Sequence, residues 1–178
     1  MENFLKEKYG NHIVYAAIFG SPVYGTVTKD SDTDIYVVIN QELEKDYEII
    51  CYNDHNIDIT LTTLNNFFKD IENNDVKAIE VIFVPEKFVL IGNQKQYQEL
   101  FKTDGAKLRK TFGSVCRKAW NRGIKKLTME QDEKEHIVGK KSLFHAIRLF
   151  ACAIEIKETG KLTFGNIQES INFYNEIL

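Results

Sequence analysis

At 178 residues, with 43% hydrophobic and 28% charged residues and a net charge of -3, the chain has the composition of a globular protein long enough to bury a core. No apolar stretch approaches the roughly 20 residues that cross a bilayer, and the start MENFLKEKYG lacks the apolar centre of a signal peptide. The three cysteines, Cys51, Cys116 and Cys152, are odd in number and widely spaced, which argues against a disulfide framework or a zinc site and points to a reducing cytoplasm.

In chain order, residues 2 to 9 read as a helix leading into a strand over the apolar run IVYAAIF, 13 to 19, which Gly20 ends. DIYVVI, 34 to 39, and NIDITL, 56 to 61, are β-branched runs bounded by Asn, Asp and Lys, and read as two further strands. Between them a strand over 47 to 52 closes a hairpin through NDHN. Residues 64 to 75 follow a helical pattern, and 76 to 91 are apolar with Pro85 breaking them.

From residue 104 the pattern turns helical. Leu108, Phe112, Val115, Ala119 and Ile124 recur at helical spacing, with Trp120 near that arc and expected to pack in the core. KKSLFHAIRLFACAIEIKETG forms a second amphipathic helix capped by Gly160, and a third runs from its cap Asn166 to the end. Sheet first and helices later predict an α+β protein: a small mixed β-sheet core over residues 1–100, and a C-terminal helical lobe over 101–178 packed against it.

The chemistry gathers at FGSPVYGTVTKDSDTDIYVVI, residues 19 to 39, where Asp30, Asp32 and Asp34 crowd the start of a strand. Two carboxylates about 4 Å apart repel by roughly 4 kcal/mol at an effective dielectric of about 20, so a compensating cation is expected. Asp32 and Asp34, two apart, point the same way from a strand and suit Mg²⁺, which takes carboxylates together with substrate phosphates. Asp58, an acid inside an apolar strand pattern, is the natural third, with Asp54 close by. A calcium loop is excluded, because its sixth and twelfth positions fall on Ile35 and Gln41 rather than Gly and Glu. Ahead of the acids, Gly20 lets a backbone approach a phosphate, Ser21 adds a hydroxyl, and Pro22 suits the first turn of a helix.

The string GSPVYGTVTKDSDTD followed by an apolar strand resembles the signature of the nucleotidyltransferase superfamily, the polymerase-beta-like fold. Within it, Gly-Ser-x-x-Tyr-Gly and then Ser-Asp-x-Asp are most similar to predicted nucleotidyltransferases of the YcgL/RlaP type. AIEVIFVPEKFVL and KKSLFHAIRLFACAIEIKETGKL resemble that branch too, although Pro22 stands where its members often carry arginine. The resemblance implies transfer of an NMP from an NTP to an acceptor hydroxyl with release of pyrophosphate. It implies that Asp32 and Asp34 bind two Mg²⁺ (or Mn²⁺) ions, that Asp58 binds one of them and activates the hydroxyl, and that Gly20, Ser21, Tyr24 and Ser31 bind nucleotide. The acceptor is left open among RNA, protein and small molecules.

Other residues keep two readings. Tyr24 stacks on a base or packs under a short helix. Lys141, His145 and Arg148 lie on one helix face and bind a triphosphate, or form a solvated face with one half-buried histidine. Residues 102–126 carry 9 Lys/Arg against 1 Asp/Glu, whereas residues 1–100 carry 8 against 17. That basic segment is the outer face of an amphipathic helix, a guide for NTP, or a groove for a nucleic-acid acceptor with Trp120 as a stacking surface. His12, His55 and His136 show no ligand spacing, and the cysteines read as structural. An alternative function is a nucleotide- or RNA-binding regulatory module on the same fold, without turnover.

Overall fold

The first apolar runs of the chain become neighbours in one mixed sheet. Strands β1 (Ile13–Ile18), β2 (Thr33–Ile39), β3 (Tyr47–Tyr52), β4 (Ile57–Thr63) and β5 (Val89–Ile91) lie in the order β3-β4-β2-β1-β5. β2 and β4 run parallel, and the other pairs are antiparallel. A parallel pair cannot be closed by a tight turn; here β3 turns back on the outer edge of β4 and returns the chain to the starting end of the sheet. The computed structural model describes residues 1–27, 31–129, 132–164 and 176. The chain divides into two compact units, Met1–Lys102 and Thr103–Leu178.

In the first unit both faces of the sheet are covered, which is why β2 is buried from Ile35 to Ile39 instead of alternating. On one face, Leu5 of helix α1 (Glu2–Tyr9) joins Ile13, Ala16, Ile35, Val37, Ile39, Ile57, Ile59 and Leu61. The other face carries Tyr15 and Tyr36 against Phe67 of α3 (Leu64–Glu72), with ring centroids 6.0 and 5.7 Å apart. The short helix α2 (Ser21–Tyr24) lies between β1 and β2. Helix α4 (Val76–Phe83) is tied to that second face where the Tyr15 hydroxyl donates to the Val81 carbonyl at 2.6 Å. The apolar stretch 76 to 91 is divided by Pro85: α4 ends at Phe83, a 3-10 turn spans Glu86–Phe88, and β5 follows. Helix α5 (Lys95–Leu100), which the sequence pattern did not announce, sends Tyr97 into the aromatic cluster, 5.1 Å from Phe67.

The second unit is built on α6 (Gly105–Met129) and α7 (Glu133–Thr159). Asp132 caps α7, accepting from the Lys134 amide at 3.0 Å. Gly160 ends α7 in the left-handed conformation expected of it, its amide donating to the Ile156 carbonyl at 2.9 Å. The two helices run antiparallel and approach closely where Gly123 faces Gly139. One expectation for α6 fails: Trp120 is 46% exposed and Ile124 42% exposed. A pair of helices buries only a narrow stripe, here Leu108, Phe112 and Gly123, and Trp120 falls outside it. The third helix expected from Asn166 onward lies outside the described residues. The α+β class expected from the sequence is the class observed, with a mixed sheet, flanking helices and a helical C-terminal unit.

Candidate active site

At the end of β1 the Phe19 amide donates to the Asp34 carbonyl at 3.0 Å, fixing the chain beside the start of β2. Gly20 then turns with φ +71° and ψ -141°, a backbone state that residues with a Cβ rarely adopt. A Cβ there would lie 2.7 Å from Oδ2 of Asp34, so the absent side chain is what leaves room for that carboxylate. From this turn α2 begins with Ser21, takes Pro22 in its first turn and closes on Gly25 in the left-handed region. Tyr24 is buried beneath it and its hydroxyl donates to Oε1 of Glu80 on α4 at 2.6 Å. Of its two readings, packing under the short helix is the one this geometry matches.

Asp34 and Asp58 are direct partners in the parallel pairing of β2 and β4, so both carboxylates leave the same face of the sheet. Asp32 stands just before β2, exposed, with Ser31 half-buried behind it. Asp30 lies outside the described residues. Asp34 is held above the usual carboxylate range, first by burial and next by the charge of Asp58, with Asp32 and Glu80 adding to the effect and Lys77 opposing it. Cys51 of β3 is the antiparallel partner of Asp58. A hydrogen bond to the Asp58 carboxylate, followed by desolvation and the charges of Asp58 and Asp32, pushes its thiol up.

Lys77 is the residue the sequence pattern missed. The Asp75 carboxylate caps α4 by accepting from the amides of Lys77 and Ala78 at 2.9 and 3.2 Å. Once α4 is seated, the Lys77 ammonium donates to Oγ1 of Thr60 at 3.3 Å and lies 5.8 Å from the centre of the Phe19 ring. Thr60 follows Asp58 by two positions on the same face of β4, and Phe19 immediately precedes Gly20. The cation therefore stands behind the glycine turn and the paired acids. Glu80, on the same helix, is a buried acid in the apolar string AIEVIF, and that mismatch was the available sequence signal.

Carboxylates on one face of a sheet are the hard oxygen donors a divalent cation takes. Asp34 and Asp58 offer two such donors from paired positions of β2 and β4, and Asp32 stands just before β2. Among the described residues no group of three or more His, Cys, Asp or Glu side chains stands close enough together to hold an ion. In the second unit, Lys141, His145 and Arg148 lie on α7. Arg148 Nη2 donates to Nδ1 of His145 at 2.8 Å, and burial, then the Arg148 charge, lower the His145 ring to about 4. His145 is thus a neutral acceptor near pH 7.

The family model described as nucleotidyltransferase domain matches residues 1–98. Among solved structures, the chain is similar to a nucleotidyltransferase-like protein from Exiguobacterium sibiricum, at 10% identity and a TM-score of 0.42. The match covers 98% of this chain and 62% of that one, so this chain spans under two thirds of that protein's length. The curated proteins contain no match.

Proposed function

Because the chain belongs to the nucleotidyltransferase domain family, we propose that it transfers a nucleoside monophosphate from an NTP to an acceptor hydroxyl and releases pyrophosphate. The observation that carries this reading is the in-register pair Asp34 and Asp58 beside the Cβ-free turn at Gly20. In the reaction the acceptor oxygen forms a bond to the α-phosphorus, the bond from that phosphorus to the bridging oxygen breaks, and the hydroxyl proton passes to Asp58. Asp32, Asp34 and Asp58 would hold Mg²⁺ or Mn²⁺, which neutralises charge on the attacking and leaving oxygens of an in-line transfer.

The remaining residues bind and orient. Gly20 and the Ser21 hydroxyl receive triphosphate oxygens, Ser31 borders the nucleotide, and Tyr24 supports α2 through Glu80. Lys77 supplies fixed positive charge toward the leaving pyrophosphate, a role supported by its place behind Gly20 and Asp34. Lys141 and Arg148 are proposed as phosphate contacts, with His145 orienting the Arg148 guanidinium. The motif likeness supports placing the chain with the YcgL/RlaP type within the family.

Incubation with each labelled NTP, Mg²⁺ or Mn²⁺ and pools of RNA, protein and small molecules tests the reading. Label transfer with pyrophosphate release, abolished by Asp32→Ala with Asp34→Ala, is the expected result. Transfer that survives the double substitution, or none with any pool, overturns it.

A further inference from the structure

An acidic chain with one strongly basic helix has separated its charge for a reason that overall solubility does not require. Lys110, Arg117, Lys118 and Lys125 are all exposed on the outer side of α6. Trp120 is the only tryptophan in the chain, and it is 46% exposed, one turn along α6 from Arg117. On an α-helix, positions three and four apart are neighbours, so Arg117 and Ile124 flank the indole along one line. Gly113 continues that line toward the N-terminus and is also exposed; a Cβ there would meet nothing within 4 Å. The result is a strip with a smooth patch, a cation, a large aromatic face and a second apolar side chain, bordered by further cations.

Lysines and arginines alone would be the ordinary solvated face of an amphipathic helix. The indole changes the argument, since leaving so large an apolar surface in water forgoes about 1.5–3 kcal/mol of burial. A ligand that repays it needs flat π-faces to lie on the indole and a regular run of negative charge to match the cations. Single-stranded nucleic acid has both: base–aromatic stacking contributes about 1–3 kcal/mol per base, and the backbone supplies the phosphates. A duplex keeps its bases stacked inside, and an acidic peptide carries charge without bases.

We infer that the outer face of α6, centred on Trp120 and Arg117, binds single-stranded nucleic acid. That the strand is the acceptor of nucleotidyl transfer rests on the function proposed above; that it binds does not.

The lone tryptophan is its own reporter. Titrating the full chain with a roughly 20-nucleotide oligouridine is expected to quench its emission. With about four phosphates contacted, the affinity should fall about 50-fold between about 50 and about 200 mM salt. Trp120→Leu, followed by anisotropy of labelled RNA, should bind about 5- to 100-fold more weakly, with Trp120→Phe recovering part of the loss. Arg117→Gln with Lys110→Gln should lower the salt slope. Circular dichroism confirms that each variant keeps its helices.

The inference is overturned if RNA neither binds nor quenches, or if Trp120→Leu binds RNA as well as wild type. It is equally overturned if heparin or polyglutamate of matched charge quenches Trp120 as strongly as the RNA, the latter marking an acidic protein as the partner. Binding with quenching but no transfer from any NTP would keep this inference and remove the proposed activity.

Discussion

At Gly20 the geometry leaves no space for even one methyl group: Gly20→Ala would place its Cβ 2.7 Å from Oδ2 of Asp34 in a backbone state unfavourable to L-residues. Misplacing a reacting group by about 1 Å costs on the order of 100-fold in rate. Gly20→Ala is therefore expected to lower kcat by about that factor while the far-ultraviolet dichroism stays unchanged. Lys77→Met removes a charge-assisted contact worth about 1.5–3 kcal/mol, so kcat/KM for the NTP should fall about 10- to 100-fold in pyrophosphate-release assays. The crowding of Asp32 and Asp34 after Gly20-Ser21 is readable in the sequence, because carboxylates so close together demand an explanation. Lys77 is not readable, since it reaches its neighbours only after α4 has packed, and a single lysine in an apolar helix carries no local mark.

At the level of the helices, two glycines on the same pair should respond in opposite directions. Gly113 is exposed and open, so Gly113→Ala should stabilise the second unit by about 0.5–1 kcal/mol through helix propensity alone. A Cβ on Gly139 would lie 2.9 Å from Cγ of Leu127, 3.0 Å from Cβ of Lys126 and 3.1 Å from the Gly123 carbonyl. Overpacking of this kind costs about 1–3 kcal/mol, so Gly139→Ala should shift the urea midpoint downward in spite of its better propensity. Strands with β-branched runs and caps such as Gly160 are legible because backbone chemistry fixes them locally. The spacing also suggested that Trp120 would be buried, but periodicity tells which residues share a face and not how wide a partner covers it. For the same reason α5 passed unnoticed: a helix of six residues spans fewer than two turns, too few to repeat a pattern.

For the molecule as a whole, acid should act differently on its two units. Asp70 on α3, which accepts a hydrogen bond from the Tyr47 hydroxyl, is raised to about 6, by burial first. The folded state therefore holds its proton more tightly than the unfolded chain, whose Asp titrates near 3.8. That contribution is fully present below about 4 and is lost as pH rises through about 6. His145 is the opposite case, lowered to about 4 from 6.5, so its contribution is present above about 6.5 and is lost as pH falls toward about 4. Between pH 7 and pH 5, the second unit should lose protection while Asp70 adds stability to the first. Hydrogen exchange at the two pH values reads each unit separately, and Asp70→Asn or His145→Gln should flatten the trend in its own unit alone. Equal pH responses in both units would contradict this assignment.

The sulfur of Cys51 has a practical consequence of its own. It is exposed on β3 and hydrogen-bonded to the Asp58 carboxylate, which keeps it a sluggish nucleophile. Any cation that draws Asp58 away would release the thiol, so alkylation by iodoacetamide should speed up on adding Mn²⁺. A mass-spectrometric footprint of that cysteine would then register occupancy of the carboxylates without any turnover at all.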